Sequence, residues 1–297
     1  MNTHKPGEKV GHILLGIGIL TWGANFGITK SAFASLPPIP FAAIRFSVCG
    51  LLLLIATYWK EKGLRIRSED LGRVVAVGVM GLGFYQILWS LGLNLTSATN
   101  SALILATQPL LGFLYLDLVK KERMRRGQYL YMLLALGGVA LVVLKPAAGL
   151  HISVAALAGD FLTLLAGICS AVFFSIWSKP LLKTYSPLRL MSLCMTTASL
   201  SLWIATFLSF QRITWVEVDI EAWWALGYAI AFSGIVGHVF WYEGIERLGV
   251  ARSLVYLYFM PVCAVLFNYF FMGEKILFQQ VLGGALILLS VHRALRG

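Results

Sequence analysis

The sequence predicts an all-α membrane protein whose ten transmembrane helices form two inverted five-helix repeats, with both termini in the cytoplasm. Of its 297 residues, 59% are hydrophobic and only 12% are charged, whereas a water-soluble domain carries about 25% charged residues. Lipid must therefore solvate most of the surface. Two further observations support this fold class: an asymmetric distribution of Lys and Arg, and a series of residue identities at a single sequence offset.

Ten apolar segments are long enough to cross a bilayer, which takes about 20 residues in a helix. Helices are expected because lipid offers no hydrogen-bond partner to backbone N–H and C=O groups. The first segment is longer than the apolar part of a secretory signal peptide, about 7–15 residues, so we expect it to remain as a span. The predicted spans are 10–32, 38–59, 72–93, 97–119, 127–145, 157–179, 187–208, 222–244, 251–272 and 276–294.

The basic residues alternate between the two sides of the predicted spans. Of 24 Lys and Arg residues, 19 fall in alternate loops that begin with the N-terminus, four fall in the opposite loops, and Arg45 lies inside a span. Loops rich in Lys and Arg remain in the cytoplasm, so both termini are predicted to be cytoplasmic. The net charge of +11 is therefore interpreted as membrane orientation and not as a nucleic-acid surface.

An internal repeat appears when the fourth and ninth spans are aligned on Pro109 and Pro261, which sets an offset of 152 residues. The domains are therefore predicted as residues 1–148 and 149–297. Five spans per copy is an odd number, so the second copy is inverted, which is typical of alternating-access transporters with a midplane substrate site. The same offset pairs Trp89 with Trp241, Gly92 with Gly244, Ser101 with Ser253, Leu105 with Leu257, Glu122 with Glu274 and Gln128 with Gln280.

Polar and aromatic residues inside the spans are the candidates for a substrate cavity. A polar side chain in lipid is costly unless it meets a partner or a wet cavity, although an aromatic stripe can equally be helix packing or an interfacial belt. The mid-helix prolines Pro109 and Pro261 are interpreted as helix hinges. The candidate substrate-binding residues are Trp22, Asn25, Tyr85, Gln86, Trp89, Ser101, Gln108, His238, Trp241, Tyr242 and Tyr258.

The charged and titratable residues within the spans are few. Arg45 lies about two turns inside its span, where it either extends outward to the membrane surface or faces the cavity and meets a carboxylate. The acidic residues lie at or beyond the span ends, which leaves His238 as the one plausible proton carrier. We therefore predict downhill transport. The four cysteines show no metal-binding spacing, no enzyme motif is present, and no cofactor or metal is expected.

Several segments resemble the drug/metabolite transporter superfamily, EamA type. The first is Thr21-Trp22-Gly23-Ala24-Asn25-Phe26 followed by Lys30, and the second runs from Pro40 to Arg45-Phe46. The repeated pattern runs from Pro109 through Glu122 to Gln128, and from Pro261 through Gly273-Glu274 to Gln280 and Gly283-Gly284. The second half departs from this pattern, because no Trp-Gly-x-Asn occurs at 169–173. Within the superfamily the chain is most similar to the YddG-type aromatic amino-acid exporters.

The resemblance implies that helices 1–4 and 6–9 surround a central cavity, with helices 5 and 10 outside it. It also implies a multi-pass exporter of amino acids and related small metabolites in the cell (inner) membrane. Its expected partners are the lipid bilayer and a small-molecule substrate, without nucleic acid or an obligatory protein partner. The alternatives are an exporter of lipophilic or quaternary cations, which aromatic faces can bind, and, from another class, a membrane enzyme or a sensor.

Overall fold

A computed structural model describes residues 6–96, 98–122, 125–143, 154–208, 213–272 and 275–296. Apart from turns and connecting segments, these residues are helical, and no strand occurs among them. The predicted domain boundary at 148/149 and Glu274 lie outside the described residues. The helices are α1 (Pro6–Ala32), α2 (Pro38–Glu61), α3 (Ser68–Leu95), α4 (Ala98–Leu105), α5 (Gln108–Leu118), α6 (Arg126–Val143), α7 (Val154–Lys183), α8 (Pro187–Leu208), α9 (Ile220–Leu248), α10 (Val250–Met272) and α11 (Phe278–Arg296).

Eight helices of the described chain are long and apolar enough to cross a membrane, and two shorter apolar helices, Leu103–Leu118 and Gly127–Val143, accompany them. Large apolar side chains such as Leu51, Phe207 and Leu289 are exposed on the outer surface, as expected where lipid is the solvent. The chain is therefore an all-helical, multi-pass membrane protein. The two shorter helices correspond to the fourth and fifth predicted spans, whose crossing of the bilayer stays a prediction.

Proline and glycine set several helix boundaries. Pro38 and Pro187 are the first residues of α2 and α8, a position where the missing N–H costs no hydrogen bond. Between α9 and α10 the chain turns within one residue, Gly249, whose φ of 81° is readily adopted only by glycine. After this tight turn the first segment of α10, Val250–Val255, packs against the last segment of α9, His238–Leu248.

Three helices contain π-helical segments, where each turn holds more residues than in an α-helix. They are Val77–Phe84 in α3, Ser170–Ile176 in α7 and Ala229–Gly237 in α9. The first and third begin 152 residues apart, which is the offset that aligns Pro109 with Pro261. This agreement supports an internal repeat.

Both predicted hinge prolines lie directly after an interruption of their helix. The chain leaves the α-helix at Ala106–Thr107, and α5 then begins at Gln108 with Pro109 in its first turn. In α10 a 3₁₀ segment, Tyr256–Phe259, precedes the α-helix Met260–Met272 that contains Pro261. Each break lies where the proline removes a backbone donor, and whether it acts as a hinge stays a prediction.

Several helix pairings dominate the packing. The helix α2 lies along α8, α6 lies along α11, α3 packs against α7, and α1 contacts both α9 and α10. The α6–α11 pair packs against α4, α5 and α10. This arrangement leaves a space near the middle of the bundle, where the broken turns of α3, α7, α9 and α10 come together.

Candidate substrate cavity

A cavity of about 60 Å³ lies at the centre of the bundle. It has room for a few water molecules, since one water needs roughly 10–15 Å³ by this measure, whereas sites for drug-sized ligands span on the order of 300–1,000 Å³. Among the described residues, none of those that line it comes from α6 or α11, as the resemblance implies. The lining residues are Trp22, Asn25, Phe26, Arg45, Gly81, Leu82, Tyr85, Gln86, Trp89, Leu105, Gln108, Ser170, Phe174, Ser233, His238, Trp241, Leu257 and Met260.

Most of the residues predicted to bind substrate lie together on this cavity. They are Trp22, Asn25, Tyr85, Gln86, Trp89, Gln108, His238 and Trp241. The structure does not bring Ser101, Tyr242 and Tyr258 to the cavity wall; all three are fully buried between helices. Their contact with substrate stays a prediction for another conformation.

The cavity wall follows the internal repeat. Six pairs of lining residues differ by 152 in sequence, so each half of the chain contributes one member of each pair. The pairs are Trp22 with Phe174, Gly81 with Ser233, Gln86 with His238, Trp89 with Trp241, Leu105 with Leu257, and Gln108 with Met260. The offset read from the sequence therefore relates the two walls of the cavity.

Three helices meet at Ser233, inside the π-helical segment of α9. Its hydroxyl accepts a hydrogen bond from Arg45 Nη2 at 2.9 Å, and its carbonyl accepts one from Trp22 Nε1 at 3.0 Å. Arg45 Nε also donates to the Ala229 carbonyl at 3.1 Å. The wide turn thus offers the carbonyls of Ser233 and Ala229 to side chains of α1 and α2. In a regular α-helix such carbonyls accept hydrogen bonds from the helix's own backbone.

His238 has one ring nitrogen committed to the same turn. Its Nδ1 lies 2.8 Å from the Ser233 carbonyl and 3.1 Å from the Gly234 carbonyl. Carbonyl oxygens only accept, so Nδ1 carries a proton and, in the neutral ring, Nε2 is the acceptor. The ring packs edge-on to Trp22, with centroids 5.0 Å apart.

Three buried polar atoms on cavity-lining side chains have no hydrogen-bond partner: Asn25 Oδ1, Trp89 Nε1 and Trp241 Nε1. An unpaired buried donor or acceptor costs about 1–3 kcal/mol. The wall thus holds polar groups that its own packing leaves unused. A ligand with both donors and acceptors can satisfy them.

Aromatic packing separates the cavity from the end of the bundle predicted to be cytoplasmic. The rings of Phe174 and Tyr242 stack with centroids 4.9 Å apart, and the Tyr242 hydroxyl donates to the Phe174 carbonyl at 3.3 Å. Further toward that end, Trp177 Nε1 donates to the Tyr115 hydroxyl at 3.0 Å. These contacts form a floor beneath the cavity.

Polar contacts join the loops at the end predicted to be cytoplasmic. Tyr185, between α7 and α8, donates to Asp70 at 2.7 Å and accepts from the Arg67 backbone at 3.1 Å. Burial, above all, raises the pKa of Tyr185, so it remains a donor at neutral pH. Arg189 pairs with Glu61 at 2.8 Å. These contacts hold the loop before α3 against the start of α8.

The structure adds lining residues that sequence reasoning missed, among them Phe174, Ser233 and Met260. Each lies 152 residues from a lining residue of the first half. Applying the offset to the predicted residues Trp22 and Gln108 would have indicated Phe174 and Met260. For Arg45, the structure decides between the two predicted orientations, because the side chain faces the cavity and is only 3% exposed.

Comparison with known proteins places these features in context. The EamA-like transporter family matches residues 9–144 and, a second time, residues 157–293. The chain is 26% identical to an uncharacterized transporter, YyaM, of Bacillus subtilis, covering 95% of this chain and 92% of that protein. It is 24% identical to a "Probable terminal-alkyne amino-acid exporter" of Streptantibioticus cattleyicolor, covering 90% and 87%. A crystal structure of a protein with 20% identity shares the fold, with a TM-score of 0.81 over 97% of this chain and 96% of the other.

Proposed function

The chain belongs to the EamA-like transporter family, and on that premise we propose that it exports amino acids and related small metabolites, aromatic side chains included. The protein is a membrane transporter and not an enzyme. One observation carries the proposal: a central cavity lined by aromatic and mostly neutral polar side chains from both halves of the chain. The relative named as an amino-acid exporter supports this class of cargo.

The mechanism we propose is alternating access between two inverted five-helix repeats, residues 1–148 and 149–297. Ten spans with both termini in the cytoplasm would place the 19 basic residues of the alternate loops on the inner side. The cavity is too small for an amino acid, so cargo entry requires its walls to move apart. The breaks beside Pro109 and Pro261 are where we propose that the helices bend.

The proposed substrate-binding residues are those that the sequence predicts and the cavity brings together, with Tyr242 and Tyr258 reached when the floor opens. Ser101 has a buried hydroxyl without a partner, and we propose that it too turns toward cargo in another state. An aromatic lining with few charges tolerates several side chains and gives modest selectivity. We propose a YddG-like preference for aromatic amino acids, which the aromatic lining supports.

The alternative of a lipophilic-cation exporter is less favoured by the cavity. Aromatic faces attract cations, but among the described residues that line the cavity the one permanent charge is that of Arg45, and none is a carboxylate. A cationic cargo would be repelled by this guanidinium with nothing to offset it.

Flux assays in proteoliposomes test the function and its energetics together. We expect labelled phenylalanine to move by counterflow and a quaternary ammonium cation not to move. We also expect that an imposed pH gradient does not drive accumulation of phenylalanine. The Nδ1–H group of His238 already donates to two carbonyls. A second proton on this ring would place a positive charge near Arg45, because both side chains bond Ser233. Accumulation driven by the gradient would contradict downhill transport; loss of that accumulation in His238→Gln, with counterflow intact, would then identify the coupling residue.

Replacing Tyr85 with alanine should change the ranking of cargoes. The ring lines the cavity, and a stacked aromatic pair contributes about 0.5–1.5 kcal/mol beyond its buried area, up to roughly tenfold in affinity. We expect phenylalanine flux to fall more than alanine flux. The control is Tyr58→Ala, which removes an exposed ring of α2. Equal losses for both cargoes in Tyr85→Ala would indicate a structural role instead.

A further inference from the structure

Arg45 is a buried cation on the wall of the cavity, and we propose that it binds the carboxylate of the transported amino acid. The inference rests on the proposed function, because it assigns one group of the cargo to one residue. Three observations support it: the described residues offer the charge no carboxylate, part of the guanidinium is still available to a ligand, and the residue that matches Arg45 in the other half of the chain does not line the cavity.

The charge of Arg45 has no carboxylate partner among the described residues. The ion pairs found there all join other residues. Around its guanidinium lie Ala229, Ser233 and, 5.4 Å from its central carbon, the ring of Phe46. Taking an uncompensated charge out of water costs several kcal/mol, so inside a membrane such a residue indicates a functional site.

Part of the guanidinium is still available for a ligand. Arg carries five N–H donors; the Nε donor bonds Ala229 and one Nη2 donor bonds Ser233, which leaves three. A carboxylate can accept two parallel hydrogen bonds from the planar guanidinium. The Ala229 carbonyl and the Ser233 hydroxyl hold the guanidinium in place without neutralising its charge. The guanidinium is therefore oriented before a ligand binds.

Arg45 also breaks the symmetry of the cavity. Six lining pairs obey the offset of 152, but the counterpart of Arg45 is Thr197 of α8, which does not line the cavity. The Thr197 hydroxyl donates to carbonyls of its own helix, Leu193 and Cys194. One wall therefore carries a positive charge that the other lacks, so an elongated cargo with one anionic end has one preferred orientation.

The unpaired atoms on the wall complement both ends of an amino acid. The indole N–H groups of Trp89 and Trp241 are donors for a carboxylate, and Asn25 Oδ1 is an acceptor for an ammonium group. A role for Arg45 as a clamp between α2 and α9 would explain its two hydrogen bonds. It would not explain a full charge retained beside unused donors and an unused acceptor.

The test compares three probes of similar size: phenylalanine, 3-phenylpropionate, which lacks the amine, and phenethylamine, which lacks the carboxylate. With wild-type protein, 3-phenylpropionate should compete with phenylalanine flux and phenethylamine should not. In Arg45→Gln, phenylalanine flux should fall roughly tenfold to a hundredfold, the range for losing a charged hydrogen bond, while phenethylamine flux is unchanged or rises. Arg45→Lys should retain an intermediate flux, because its charge lacks the planar fork.

Two further measurements separate the possible failures. Arg67→Gln removes an exposed arginine outside the cavity and should transport as wild type. Melting temperatures in detergent, with and without 3-phenylpropionate, report carboxylate binding independently of flux. Stabilisation of wild type but not of Arg45→Gln, with no amino-acid flux by any protein, would keep the carboxylate site and reject the exporter.

The carboxylate site itself is overturned by either of two results. The first is wild-type flux that phenethylamine inhibits as well as 3-phenylpropionate does. The second is an Arg45→Gln or Arg45→Lys variant whose flux of all three probes changes by the same factor. If wild type shows neither flux nor stabilisation by the carboxylate, both proposals fail.

Discussion

Replacing Tyr242 with alanine should lower the free energy of unfolding by about 3–5 kcal/mol, the range for removing a buried aromatic ring. The side chain is fully buried and stacks on Phe174, so its removal leaves a void directly below the cavity. Thermal unfolding of the purified protein in detergent measures the change. In proteoliposomes we also expect the widened floor to raise passive leak of small solutes.

Tyr242→Phe is the matched control, because it keeps the ring and loses one hydrogen bond to the Phe174 carbonyl. Its stability should change by only about 0.5–1.5 kcal/mol, and leak should stay at the wild-type level. If Tyr242→Ala is as stable as Tyr242→Phe, the floor does not depend on this ring. A change of cargo ranking in Tyr242→Phe would instead support the predicted contact between the hydroxyl and the cargo.

Gly81→Ala should be the second strongly destabilising substitution. A Cβ at this position would lie 2.6 Å from the backbone nitrogen of Phe174 and 2.8 Å from its Cα. The obstacle is backbone and cannot rotate away, so α3 and α7 must separate. Inserting atoms into a packed interior costs about 1–3 kcal/mol, and we expect both the melting temperature and the phenylalanine flux to fall.

Gly16→Ala provides the comparison, since a Cβ on Gly16 of α1 would meet nothing within 4 Å. Alanine also has the higher helix propensity, so this variant should be as stable as wild type or more so. Equal melting temperatures for the two variants would mean that α3 and α7 do not depend on the close approach at Gly81.

The sequence predicts the helices well because lipid leaves few options for the backbone. The seventh span, predicted as 187–208, is observed as Pro187–Leu208, since a proline and a polar loop bound an unbroken apolar run. The π-helical segments were not predicted. Hydropathy measures how apolar a segment is, and it does not report how many residues a helical turn holds. Val77–Phe84 is apolar whether its turns are α-helical or π-helical.

The cavity was harder to predict, because rotation about a helix axis is poorly encoded when every face is apolar. Arg45 shows the difficulty. The sequence gives the depth of this residue in α2, but it does not give the rotation of α2 about its axis. That rotation decides whether the side chain faces the cavity or extends to the membrane surface. Tyr242 lies one residue from the lining residue Trp241 and yet packs into the floor. Only the packed structure distinguishes these neighbours.

The wide turns also record the order of events in the ancestry of this chain. A π-turn forms when one residue is inserted into an α-helix, and the segments in α3 and α9 begin 152 residues apart. A single insertion that preceded the doubling of the gene accounts for both, whereas a later origin needs two independent insertions at matching sites. The wide turn of α7 has its counterpart at 18–24 of α1, which is regular α-helix. That third turn is therefore a difference between the two halves, gained in one copy or lost from the other after the doubling.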